Sequence, residues 1–219
     1  MKGYDIMYRA FRKRHFCNMA KRKKRYYDSR IKRGLDISGA LSGIILSLPV
    51  YLLVPVLIKL TSKGPVFYLQ ERLGKDKVPF MMIKFRTMIV GAENGKPLWA
   101  EKNDSRATSV GLFLRKTRID ELPQFINVLK GDMSLVGPRP EREYFVSKLA
   151  SDIPFYNVRF ILKPGISGWA QVNHRYASTV SESRTKLHYD IVYIRNSSLF
   201  LDIVILLKTV RCILNMRGR

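Results

Sequence analysis

The chain has 219 residues, with 40 Lys and Arg against 17 Asp and Glu, a formal net charge of +23 and a pI near 10.3. That length allows one domain with a sizeable core, or a small domain with appendages. The charge calls for an anionic partner: nucleic acid, lipid headgroups or phosphorylated substrates. Cys17 and Cys212 lie far apart and outside any C-x-x-C, which excludes a disulfide framework and a zinc spacing and points to a reducing compartment.

Residues 1–31 form a basic extension containing "RKRH" and "KRKKR", opposed by Asp5 and Asp28. Residues 32–62 hold an uncharged apolar run, Ile37–Ile58, long enough by itself to cross a bilayer. The long charged segment ahead of it and the lack of an A-x-A-like exit argue against a cleaved signal peptide. A spanning helix and a re-entrant one both fit the length. Pro49 near the middle removes a backbone hydrogen bond and favours a bend. Arg30, Lys32 and Arg33 before the run and Lys59 and Lys63 after it favour one membrane side for both flanks. The basic extension then has anionic headgroups as its partner.

From residue 63 to 219 the pattern is mixed α/β. "GPVFYLQERLG" and "PFMMIKFRTMIV" read as a hairpin. "GAENGKP" (Gly91–Pro97) resembles a P-loop but fails on spacing and on the terminal Ser or Thr. "VGLFLRKTR" reads as a short amphipathic helix. Asp120 fits the N-cap of the next helix, with Glu121 in its first turn, Leu122, Phe125, Ile126 and Leu129 on its buried face, and Gly131 as C-cap. A helix is expected from Arg142 through Ala150. "KPGISGWAQVN" reads as a structured loop with a short strand. The apolar end, "SSLFLDIVILLKTVRCIL", suits a helix at the membrane surface or a buried terminal helix.

Asp120 and Glu121 are adjacent acids in a basic chain. Their bland role is capping a helix. Residues adjacent on a helix point about 100° apart, so they cannot face each other across a sugar as glycosidase carboxylates do. They can share one phosphorus, one carboxylate attacking while the other acts as base or places a metal. Arg115, Lys116 and Arg118 precede them, and Arg139 sits in a rigid Gly-Pro-Arg-Pro turn suited to bidentate phosphate contact.

Four ordered motifs carry a resemblance: "KFRTM" (Lys84–Met88), "RIDELPQFINVLKGDMSLVGPRP" (Arg118–Pro140), "KPGISGWAQVN" (Lys163–Asn173) and "YDIVYIRNSSLFLD" (Tyr189–Asp202). The chain resembles the bacterial sugar transferases, monotopic polyprenyl-phosphate phosphoglycosyl transferases, from about Lys32 to the C-terminus. The resemblance implies a mixed, helix-rich α/β membrane-associated domain with an N-terminal re-entrant helix broken at Pro49 and amphipathic helices lying on the surface. It implies a catalytic domain at residues 63–219 on the cytoplasmic face of the bacterial inner membrane. The implied reaction moves a sugar-1-phosphate from a UDP-sugar to undecaprenyl phosphate with Mg²⁺, through a phosphosugar on Asp120 and release of UMP. Glu121 is then the dyad partner, as base or metal-side carboxylate, and both acids are metal candidates. Lys84, Arg115, Arg139 and Arg175 fall at phosphate-binding positions. Asp190 and Asp202 match family aspartates near the site, read as salt bridges that orient the arginines.

The resemblance leans toward a hexose such as glucose or galactose as donor, with an N-acetylhexosamine as the alternative, and leaves room for a homodimer. A membrane-tethered nucleic-acid-binding protein is the competing class. It rests on charge alone, so no nucleic-acid partner is expected. A non-catalytic scaffold is the third reading, against which the intact Asp120–Glu121 pair stands.

Overall fold

The computed structural model describes residues 26–92, 104–174 and 179–215. Most of the basic extension, and Arg175, lie outside them. Helix α1 (Arg30–Leu46) starts at Ser29, whose hydroxyl accepts from the Lys32 N–H. Helix α2 (Leu48–Thr61) follows after a 59° bend. Among the described residues no single helix is long and apolar enough to cross a membrane, but this pair passes together.

The bend lies at Ser47, two residues before Pro49. Pro49 sits in the first turn of α2, where a missing N–H costs nothing. The Ser47 N–H and hydroxyl both donate to the Gly43 carbonyl, at 3.0 and 2.5 Å, and Tyr51 N–H closes onto the Ser47 carbonyl at 3.1 Å. Ile31, Leu41, Ile45, Leu46, Leu52, Leu53, Val56 and Leu60 are exposed on the pair, while Ala40, Val54 and Ile58 are buried against the rest of the fold.

The expected hairpin is present. Strands β1 (Phe67–Leu73) and β2 (Pro79–Phe85) pair antiparallel with Tyr68 opposite Lys84. The amphipathic helix α3 (Ser109–Thr117) is capped by the Thr108 hydroxyl. Helix α4 spans Gln124–Lys130, and Gly131 at φ +95° ends it as expected. Asp120 is not its N-cap. It occupies a separate 3₁₀ turn, Ile119–Glu121, because Pro123 has no N–H to continue an α-helical ladder. Val128, Asn127 and Gln124 are buried on α4, with Phe125 and Leu129 packed beside them.

Strands β3 (Ser134–Val136) and β4 (Gly165–Ser167) form a short parallel ladder. Gly137 lies so close to the Lys163 carbonyl that a Cβ would come within 2.5 Å of it. Helix α5 (Glu143–Asp152) matches the expected one, and α6 (Trp169–Asn173) follows β4. Helix α7 (Val180–Asn196) opens on a Thr179–Glu182 capping box. Helix α8 (Leu199–Leu214) buries Asp202 and Ile205 and exposes Phe200, Leu207 and Leu214. The fold is therefore helix-rich α/β with two small two-stranded sheets.

Candidate active site

The acids sit where three elements meet. Arg118 ends α3 in a left-handed conformation, φ +61°, and turns the chain into the 3₁₀ turn that carries them. That conformation is costly for a residue with a side chain, so packing on either side must hold it. Tyr51 of α2 donates a 2.8 Å hydrogen bond to the Leu122 carbonyl, one residue past the pair. Phe125 fills the notch left by Gly43, where a Cβ would stand 2.6 Å from its ring. Arg33 donates to the carbonyls of Val128 and Leu129 at 2.6 and 2.8 Å. Buried Asn127 donates to Met81 O at 2.8 Å and accepts from Ile83 N–H at 3.0 Å, which locks β2 to α4 and brings Lys84 to the acids.

The acids differ sharply in environment. Glu121 accepts from Arg139 Nη2 at 2.6 Å, Lys84 Nζ at 3.2 Å and Arg118 Nη1 at 3.4 Å. Burial opposes its ionisation, but Arg139, Lys84 and Arg118 outweigh burial and hold its carboxyl well below the usual range. Asp120 is also buried, yet it makes no hydrogen bond or ion pair within the described residues. Burial pushes its carboxyl up to about 6; Lys84 opposes the shift and the neighbouring Glu121 adds to it. At neutral pH both acids are ionised, but only Asp120 has unengaged oxygens. Burial, opposed by Glu121 and assisted by Arg139, lowers the Lys84 amine below its ordinary value.

Arg139 is held from behind. Its carbonyl accepts from Arg159 Nη2 at 2.9 Å, and the Pro140 carbonyl accepts from Arg72 Nη1 at 3.3 Å. Glu141 O accepts from Leu73 N–H at 2.9 Å. The Glu141 carboxylate pairs with Lys186, with Arg159 at 3.5 Å and with Arg72 at 3.8 Å. Burial works against that carboxylate, and Lys186, Arg159 and Arg72 nevertheless bring it down to about 2. Asp190 pairs with Arg159 at 2.9 Å, so it does orient an arginine of this network. Asp202 does not: its partners are Lys32 at 2.8 Å, Tyr26 at 3.0 Å and Tyr193 at 2.7 Å, and it anchors the root of α1 instead. Arg115 stands in the last turn of α3 with Nη1 buried and without a hydrogen-bond partner, a guanidinium with donors to spare.

The sequence reading did not single out Asn127, Glu141, Arg159 or Tyr51, and it left Arg118 among the nearby cations without a role. Arg86 was also passed over. Its guanidinium caps α2 through the Ser62 and Lys63 carbonyls at 2.9 and 2.7 Å. Asn127 lies off the expected face of Leu122, Phe125, Ile126 and Leu129, so the apolar spacing carried no signal for it; the structure buries Gln124, Asn127 and Val128 instead.

No group of three or more His, Cys, Asp or Glu side chains suited to a metal occurs among the described residues. Glu121 has both oxygens in ion pairs. Of the two acids, Asp120 is the one that offers an open carboxylate among the described residues. Magnesium often takes only one or two carboxylates and completes its shell with substrate phosphates and water, so Asp120 fits it in that mode.

The pattern that defines the bacterial sugar transferase family matches residues 27–216. The chain belongs to the bacterial sugar transferase family. The chain is 53% identical over 188 residues to the UDP-N-acetylgalactosamine-undecaprenyl-phosphate N-acetylgalactosaminephosphotransferase of Aeromonas hydrophila, covering 86% of this chain and 44% of that protein. It is 44% identical over 181 residues to the UDP-glucose:undecaprenyl-phosphate glucose-1-phosphate transferase of Klebsiella pneumoniae, covering 82% and 39%. It is 41% identical over 185 residues to the UDP-glucose:undecaprenyl-phosphate glucose-1-phosphate transferase of Caulobacter vibrioides, covering 84% and 69%. The chain thus spans less than half the length of the first two of these relatives.

Proposed function

We propose that this transferase moves a sugar-1-phosphate from a UDP-sugar to undecaprenyl phosphate by two displacements at the sugar-linked phosphorus. The observation that carries the reading is the contrast inside the dyad. Asp120 is buried, ionised and unengaged, while Glu121 is fixed by three cations. In the first step an Asp120 oxygen bonds to the sugar-linked phosphorus, the bond to the bridging oxygen breaks, and UMP leaves with that oxygen's electron pair. In the second, a phosphate oxygen of undecaprenyl phosphate bonds to the same phosphorus and Asp120 leaves as carboxylate.

Glu121 in this account is the anionic pin that spaces Lys84, Arg118 and Arg139 around the diphosphate, rather than the base. Those cations stabilise the charge developing on the phosphoryl and leaving oxygens. Arg115, with a buried N–H left over, extends the clamp. Asp190 acts through Arg159 and the Arg139 carbonyl. Magnesium, held by Asp120 and the donor's own phosphates, would supply Lewis-acid neutralisation of the diphosphate.

The bent pair α1–α2 enters the cytoplasmic face of the bacterial inner membrane and returns to it, with Arg30, Arg33, Lys59 and Lys63 on its flanks. The exposed side chains of that pair and of α8 support this placement, since each large apolar side chain removed from water is worth about 1.5–3 kcal/mol. The basic extension adds attraction to anionic lipid.

The names of the relatives run from N-acetylgalactosamine to glucose and galactose, so the reading commits to UDP-sugars as the donor class. A donor panel read out as UMP release tests it. Hexose and N-acetylhexosamine donors are its two arms, and release with neither contradicts the proposal.

A further inference from the structure

The dyad precedes the N-terminal end of α4. A second convergence of cations lies at the other end. Arg33 points two of its N–H groups at the last carbonyls of α4. Lys163, just before β4, arrives from the opposite side. Its backbone is pinned by the Tyr27 hydroxyl, which donates to the Lys163 carbonyl at 2.9 Å. The amine itself makes no hydrogen bond or ion pair within the described residues.

Lys163 Nζ and Arg33 Nη2 lie 3.6 and 3.7 Å from the point where a Cβ on Gly131 would stand. That residue is in the left-handed region, φ +95°, where glycine is favoured, and the missing side chain leaves the space between the two cations open. Burial first, then the like charges of Arg33 and Lys75, lower the Lys163 amine below its ordinary value.

The nearby carboxylates are already committed. Asp28 pairs with Lys75 at 2.7 Å, and Asp36 with Lys32 at 3.0 Å and the Ser134 hydroxyl at 2.9 Å. Lys163 faces another cation, and the carboxylates whose charge favours its ammonium, Asp36 and Asp28, are each paired elsewhere. The location adds a second constraint. Arg33 is in the first turn of α1, whose neighbours Ile31 and Leu35 are exposed apolar side chains. The cluster therefore stands where the apolar surface of the bent pair begins.

We propose that Arg33 and Lys163 form an anion site for phosphate chemistry, separate from the dyad, at the root of the bent helix. A tetrahedral oxyanion accepts from the Lys163 ammonium and from the remaining N–H groups of Arg33, and relieves the repulsion between them. The phosphate of an anionic lipid headgroup and a free phosphate share this chemistry.

The test uses the full chain in zwitterionic micelles. Thermal midpoints of wild type and Lys163→Gln are compared in inorganic phosphate, in micelles doped with phosphatidylglycerol and in micelles doped with phosphatidylcholine, all at matched ionic strength. A ligand that binds only the folded state raises Tm. The expected result is a rise of several degrees for wild type with phosphatidylglycerol, with inorganic phosphate or with both, and at least a halving of that rise in Lys163→Gln. A rise only with phosphatidylglycerol assigns the site to headgroups, and a rise only with phosphate assigns it to a soluble anion. Equal responses of the two proteins in every arm overturn the site. Should Lys163→Gln not fold, ¹³C NMR of the dimethylated amines in wild type decides. The Lys163 titration must move to higher pH when the anion is added, and an unmoved titration overturns the site. Neither readout involves turnover, so failure here leaves the role of Asp120 untouched.

Discussion

Tyr51, in the second leg of the bent helix, donates a 2.8 Å hydrogen bond to the carbonyl of Leu122, the residue that follows the acidic pair. The apolar element that packs into lipid in our account therefore holds the reacting loop directly. Tyr51→Phe removes the bond and keeps the ring in its tilted contact with Phe85. We expect a stability loss of about 1 kcal/mol and a several-fold fall in kcat with little change in KM for the UDP-sugar. Steady-state kinetics on the two proteins at equal concentration checks it. An unchanged kcat contradicts the coupling.

Glu121→Gln leaves Lys84, Arg118 and Arg139 without the anion that spaces them. Breaking a buried ion pair by removing one partner costs about 3–5 kcal/mol; these cations keep partial exposure, which puts the loss at the low end, about 3 kcal/mol. Denaturant unfolding measures it. The variant should also show a raised KM for the UDP-sugar, because the phosphate clamp is disordered. A variant with normal stability and normal KM but no turnover points instead to Glu121 as the base.

The Asp120 carboxyl, pushed up to about 6 by burial and by Glu121 against the pull of Lys84, sets an acidic limb for activity. A protonated Asp120 cannot attack, so kcat/KM should fall as pH drops below about 6, with a slope of one proton. Its effect on stability has the opposite sign. A folded-state value above the unfolded one stabilises the fold at low pH, and this contribution is lost as pH rises from 3.8 to about 6. Glu141 behaves in reverse. Held down to about 2 chiefly by Lys186 and Arg159 against burial, it stabilises the fold above its ordinary 4.5 and loses that contribution as pH falls toward about 2. Thermal melts of Asp120→Asn and Glu141→Gln across pH 2–7 separate the two.

Much of the fold was legible, for stated physical reasons. The β hairpin, α3, α5 and the Gly131 cap all follow from local periodicity and turn chemistry. The bend was legible from Pro49, and the break falls two residues before it, at Ser47. Proline marks a missing donor, and the sequence does not reveal that Ser47 takes over the Gly43 carbonyl two residues earlier. The N-cap expected at Asp120 failed because Pro123 splits the segment into a 3₁₀ turn and a helix. The acids themselves stood out as a charge anomaly. Their different environments did not, because Lys84 and Arg139 reach Glu121 from 37 and 18 positions away. Asp202 was displaced from its expected role for the same reason: its partner Lys32 is on α1.

Asn127 is the tie between α4 and the strand that delivers Lys84. Asn127→Leu removes it and leaves the Ile83 N–H and Met81 carbonyl without side-chain partners. We expect about 2–4 kcal/mol of destabilisation, about 1–3 kcal/mol for each stranded group with partial relief from water. Activity should fall more than in Asn127→Asp, which keeps the acceptor for Ile83. Equal activities for the two would remove Asn127 from the account.

The central claim is that Asp120 carries the phosphosugar. Purified protein, incubated with a UDP-sugar and Mg²⁺ but no lipid acceptor and quenched in acid, is digested and its peptides weighed. The account predicts one added hexose-phosphate or N-acetylhexosamine-phosphate mass on the peptide containing Asp120, one UMP per protein, and neither in Asp120→Asn. UMP release and full turnover by Asp120→Asn, or the added mass on another residue, would contradict it.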